Sequence, residues 1–125
     1  MTHAYQVLAL DLDGTLLTSD KFVTRRTAAL LEAAVRSGLR LVFVTGRNLP
    51  MAQTVARKLR VPVMIIAHNG AIVADGATGR ILDAEYLPDE AAMRLCARFR
   101  EWECRPFVYV SQDGAYLLRH GEGPH

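Results

Sequence analysis

The sequence predicts an α/β fold with a parallel, doubly wound sheet, and three observations carry that reading. Short apolar runs alternate with segments of helical periodicity, each of the first three runs ends on a small polar residue with glycine close behind, and the texture turns antiparallel after residue 70. At 125 residues, half of them apolar or aromatic, the chain holds enough apolar material for a core. The first run, YQVLAL at residues 5–10, has the near-continuous hydrophobicity of a strand buried on both faces. Thr24 is placed to cap the helix that follows. In it Leu30, Leu31, Ala34 and Val35 recur at helical spacing until Ser37 and Gly38 end it. The second run, LRLVFVTGR at residues 39–47, stops at Thr45 and Gly46. Another helical stripe, Ala52, Val55, Ala56 and Leu59, then leads through Val61 and Pro62 to VMIIAHNG at residues 63–70. The unit is βαβαβ, whose crossovers are almost invariably right-handed.

Residues 71–85, AIVADGATGRILDAE, read as a hairpin around a turn running from Asp75 and Gly76 to Thr78 and Gly79. Pro88, Asp89 and Glu90 open a third amphipathic helix with Ala92, Leu95, Cys96 and Phe99 on its buried side and Trp102 beyond it. RPFVYVSQDGAYLLR, residues 105–119, supplies two more strands about a turn at Gln112, Asp113 and Gly114, and GEGPH reads as a frayed end. The predicted division is a core of residues 1–80, made of βαβαβ plus hairpin, and a second α/β module of residues 81–125.

Composition narrows the function. Net charge is +2, and Arg25, Arg26, Arg36, Arg57, Arg60, Arg94, Arg98 and Arg100 are scattered along predicted helices as solvated faces. With no basic run interleaved with aromatics, nucleic acid is not the expected partner. Cys96 and Cys104 form no CxxC pair, and no basic leader precedes the first apolar run, which Asp11 breaks far short of a membrane span. The expectation is a cytoplasmic protein with no membrane partner and with packed thiols. His68 reads as a satisfied histidine at a strand end, and Trp102 with Phe99 as packing.

In open parallel sheets ligands bind beyond the carboxyl ends of the strands. Asp11-Leu12-Asp13-Gly14, Thr45-Gly46-Arg47 and Asn69-Gly70 all fall at that edge. One such ending is a turn, because Asp bonds nearby amides and Gly tolerates positive φ; three together form a candidate site. A carboxylate can attack a phosphoryl group, and a second acid two residues on can protonate the leaving oxygen and later activate water. Two neighbouring carboxylates call for a hard cation such as Mg²⁺, while Gly14 and the Thr45 hydroxyl suit a phosphate oxygen.

The motif DLDGTLL at residues 11–17 resembles the signature of the haloacid dehalogenase superfamily. VFVTGR at residues 42–47 is similar to its second motif, and HNGA at residues 68–71 to an element of its Cof-type sugar phosphatases. The resemblance covers the first eighty residues well and the remainder by architecture. It implies a Rossmann-like core followed by the start of a cap domain, and a Mg²⁺-dependent phosphatase acting on a small phosphomonoester, a sugar phosphate or similar. Asp11 would be nucleophile and metal ligand, and Asp13 the acid/base and, through its backbone carbonyl, a metal ligand. Thr45 would anchor phosphate, with Gly14, Thr15, Gly46, Arg47, Asn69 and Gly70 around it, and residues 16–23 would form a flap. The family pattern also holds a phosphate-neutralising lysine and a late G-D-x-x-N-D motif. Here Lys21 and Lys58 are the only lysines, and no such motif occurs. The expectation is therefore an N-terminal portion of a longer protein, weakly active or inactive, whose first strand forms an open edge prone to self-association. The alternatives are a non-catalytic phosphate-binding or assembly module completed by a partner chain, and another superfamily reaction such as phosphoryl mutation.

Overall fold

A computed structural model of the chain describes residues 4–104, 107–112 and 115–120. The chain divides into two compact units, one ending at Ala84 and the other starting at Glu85.

The first unit is a five-stranded sheet in the order β1-β2-β3-β4-β5. Strands β1 (Val7–Leu10), β2 (Arg40–Val44) and β3 (Val63–Ala67) are parallel, while β4 (Ile72–Asp75) and β5 (Ile81–Ala84) continue the sheet as an antiparallel hairpin. Helix α1 (Arg25–Arg36) joins β1 to β2, and α2 (Leu49–Ala56) joins β2 to β3. Each parallel connection is thus a helical crossover, as the alternation of apolar runs and helical stripes requires.

Local chemistry sets the boundaries. The Thr24 side chain accepts the Thr27 amide at the start of α1, and Gly38, at φ 108°, carries the chain out of it. Asn48 accepts the Met51 amide at the start of α2, where Pro50 adds a preset φ. At the hairpin, Asp75 Oδ1 takes the amides of Ala77 and Thr78 and the Thr78 hydroxyl, bonds that hold its carboxyl below the usual range. Gly76 still donates to the Val63 carbonyl of β3, so close that a Cβ there would lie 2.6 Å from that oxygen. The tight turn returns the chain alongside β4, and pairing with β4 keeps β5 in the first sheet, four residues beyond the predicted boundary.

Phe43, Ile65 and Ile72 are fully buried at the centre of the sheet, and Ala52, Val55, Ala56 and Leu59 cover β3 from one side. Two expectations need correction. Strand β1 is not buried on both faces: Val7 is 52% exposed, because among the described residues β1 pairs with β2 alone and its other edge is open. Within α1 only Leu31 is buried and Leu30 is 63% exposed, so the apolar stripe is wider than the surface covering it.

The second unit holds α3 (Asp89–Glu101) and a two-stranded antiparallel sheet, β6 (Phe107–Gln112) with β7 (Ala115–His120). Cys96 is buried and Cys104 exposed, both as free thiols. Leu95 is exposed, contrary to its place in the predicted stripe, and Phe99 meets Trp102 edge to face with ring centres 6.1 Å apart. The turn at Asp113 and Gly114 and the GEGPH segment lie outside the described residues. The arginines expected on solvated faces, Arg25, Arg26, Arg36, Arg57, Arg60, Arg94, Arg98 and Arg100, are all exposed. Among the described residues no helix is long and apolar enough to cross a membrane.

Candidate active site

The register of the parallel strands fixes where the polar residues emerge. Leu10 pairs with Phe43, and Val44 with Ile66, so Asp11, Thr45 and the segment from His68 leave their strands on the same edge of the sheet.

After β1 the chain makes a wide turn in which Leu16 donates to the Asp11 carbonyl and Leu17 to the Leu12 carbonyl. Leu12 is completely buried while Asp11 and Asp13, on either side, are exposed. Burying such a side chain is worth roughly 2 kcal/mol, so the apolar anchor turns both carboxylates outward. Gly14 sits at φ 76°, a left-handed conformation that glycine adopts without steric cost, and the space beside its Cα is open. The Thr15 hydroxyl lies 3.4 Å from Asp11 Oδ2.

Asp13 is the electrostatic centre. Arg47 grips it with both arms of its guanidinium, Nε to Oδ2 at 2.6 Å and Nη2 to Oδ1 at 2.8 Å. Lys21 Nζ adds a third bond, 2.8 Å from the same Oδ1. The Arg47 hydrogen bonds first, and the Lys21 bond second, hold the Asp13 carboxyl well below the usual carboxylate range; the Arg47 guanidinium is raised in return. The two cations differ in freedom, since the Arg47 side chain is 16% exposed and that of Lys21 60%.

Thr45 is buried and engaged throughout. Its amide donates to Ile66, its carbonyl accepts from Asn69, and its hydroxyl oxygen accepts the Arg47 amide at 3.1 Å, which leaves the hydroxyl proton as a donor. A Cβ on Gly46 would lie 2.8 Å from Asn69 Oδ1, so the absence of a side chain there lets Asn69 rest against the loop. Asn69 itself is left-handed at φ 57°, and Gly70, at φ 103°, carries the chain towards β4.

The geometry therefore joins Asp13 to Arg47 directly, and Thr45 and Gly46 to Asn69. Asp11, Gly14 and Thr15 lie on the same turn as Asp13. Gly70 serves the chain reversal. One contact escaped the sequence reading: Lys21 reaches Asp13 from the turn that follows Leu17. His68 is satisfied at its strand end, as read from the sequence: its amide donates to the Arg47 carbonyl, and its Nε2 accepts the Leu49 amide at 3.2 Å. Asn48 and His68 thus consume amides at the start of α2. For Lys21 the Asp-Lys pair in TSDKF was the available signal. No third Asp, Glu, His or Cys joins Asp11 and Asp13 in a metal-binding group among the described residues. These residues alone do not complete a magnesium shell.

Burial pushes the His68 pKa below its usual 6.5, because desolvation penalises the charged ring, and the neutral ring is the form that accepts from Leu49. A histidine depressed in this way adds stability above pH 6.5 that is lost as pH falls through its folded value. The thermal midpoint should therefore fall between pH 7 and pH 5 more steeply in the native chain than in His68→Gln, compared by scanning calorimetry at about those pH values. Parallel profiles would assign the acid sensitivity elsewhere.

A family description, haloacid dehalogenase-like hydrolase, matches residues 8–123. The pyridoxal phosphate phosphatase of Escherichia coli (strain K12) is 31% identical over 118 residues, 94% of this chain and 43% of that protein. The HMP-PP phosphatase of Serratia proteamaculans (strain 568) is 32% identical over 113 residues, 90% of this chain and 40% of that protein. The solved structure of a haloacid dehalogenase-like hydrolase from B. subtilis matches with a TM-score of 0.72 at 27% identity, covering 84% of this chain and 36% of that one. The chain thus spans less than half the length of these relatives. With the family match running through nearly its whole length, the chain belongs to the haloacid dehalogenase-like hydrolases.

Proposed function

We propose that the edge formed by Asp11–Asp13, Thr45–Arg47 and Asn69 is the nucleophile half of a phosphatase site for a small phosphomonoester. The observation that carries this reading is the pairing of an exposed strand-end carboxylate, Asp11, with a second acid, Asp13, that Arg47 binds from the next strand end. A carboxylate oxygen of Asp11 attacks phosphorus and the ester P–O bond breaks; Asp13, ionised in the free chain, takes up the proton of the bound phosphate monoanion and passes it to the leaving oxygen. Water then attacks the aspartyl phosphate, giving its proton to Asp13 and releasing inorganic phosphate. Thr45 and the open amides about Gly14 hold the phosphoryl oxygens.

Sugar phosphates and pyridoxal phosphate are the substrates to try, and the reaction would take place in the cytoplasm. Mg²⁺ belongs to the reading through the family's chemistry. From the described residues it would find the Asp11 carboxylate and the Asp13 carbonyl, so binding is expected to be weak and turnover of the 125-residue chain low. An aryl phosphate assayed with Mg²⁺ should show slow release of phosphate by the native chain and a fall of at least about 100-fold in Asp11→Asn. Equal rates in the two proteins would remove Asp11 from the chemistry.

The open edge of β1 favours a second reading, in which the chain works as a phosphate-binding assembly module. Val7 is exposed in a strand whose outer hydrogen-bonding edge has no neighbour among the described residues, which is a template for another strand. Self-association is then expected, and Val7→Lys should weaken it. Light scattering on a size-exclusion column tests this; a folded native monomer at high concentration would eliminate self-association.

A further inference from the structure

Lys21 stands in a turn that glycine would suit better. Its amide closes the turn onto the Thr18 carbonyl at 2.9 Å, and Thr18 donates back to the Phe22 carbonyl at 3.0 Å, leaving Lys21 at φ 63°. At such a position a lysine is uncommon and strained, and strain of this kind is kept where the side chain has work to do. The bond it makes does not account for the placement. Lys21 and Asp13 are 60% and 40% exposed, and an ion pair so open to water adds little stability. It is also redundant, because Arg47 already satisfies both oxygens of Asp13.

We propose that Lys21 is a phosphate-binding residue, held on Asp13 until a phosphate enters and then transferred to a phosphate oxygen. Two cations on Asp13 offset the charges of both Asp13 and Asp11, so the two neighbouring carboxylates do not repel an incoming anion at the Asp11–Gly14 turn, where the space beside Gly14 is open. Of the two, Arg47 is largely enclosed and held by two bonds, whereas Lys21 hangs by one bond from an exposed, flexible stem. The incoming anion competes with Asp13 for the ammonium. On transfer Asp13 keeps its two bonds from Arg47 and remains in place.

The inference rests on the phosphatase reading, and the test separates the two. Inorganic phosphate is titrated into the native chain, Lys21→Gln, Lys21→Gly, Lys21→Arg and Thr45→Val by isothermal calorimetry, with the thermal midpoint of each ligand-free protein measured alongside. The expected result is roughly 10-fold weaker phosphate binding in Lys21→Gln and Lys21→Gly, near-native binding in Lys21→Arg, and a midpoint in Lys21→Gly that is unchanged or raised. Native affinity in Lys21→Gln and Lys21→Gly, with binding lost in Thr45→Val, would overturn the role of Lys21 and leave the site standing. A lowered midpoint in Lys21→Gly with unchanged affinity would make Lys21 structural. A native chain that binds no phosphate would overturn both readings.

Discussion

The burial of Leu12 is the constraint on which the site depends. A leucine between two aspartates can enter the core only if the backbone turns the acids to the outside, and the wide turn closed by Leu16 and Leu17 does so. Asp11 and Asp13 are therefore presented by packing, with no need for their charges to be accommodated inside. The left-handed Gly14 completes the turn and leaves room for a ligand to approach the main chain. Removing the Leu12 side chain would cost about 2–5 kcal/mol and release the acids together with the core.

A second layer of order links the strand ends. The Arg47 fork crosses from the end of β2 to Asp13, and the segment after β3 supports the same loop, the His68 amide donating to the Arg47 carbonyl and the Asn69 amide to the Thr45 carbonyl. Gly46 is the hinge of this packing, since a side chain there would displace Asn69. Three loops that are far apart in sequence thus constrain one another, whereas Lys21 joins the cluster by one exposed bond. Burial decreases from Leu12 through Arg47 to Lys21.

Much of this was legible in the sequence. The βαβαβ order followed from apolar runs separated by helical stripes, and the three strand ends were marked by a small polar residue and a nearby glycine. Burial was less legible, because it depends on neighbours as much as on the residue: Val7, Leu30 and Leu95 are as apolar as core residues, yet each lies on a face that no described element fully covers. The Lys21 contact was hidden for another reason. It depends on a non-glycine residue adopting a left-handed conformation, which residue type disfavours and only the folded turn reveals. The support from His68 depends on strand register, which brings it to the first amide of α2.

If one phosphate site is built from three strand ends, backbone amide shifts during a titration with inorganic phosphate reveal it most directly. A single saturable set of shifts is expected at Asp13–Thr15, Gly46, Arg47 and Asn69, with the arginine-bearing faces of α1 and α3 unaffected. Shifts confined to those helix faces, or none at the strand ends, would contradict it.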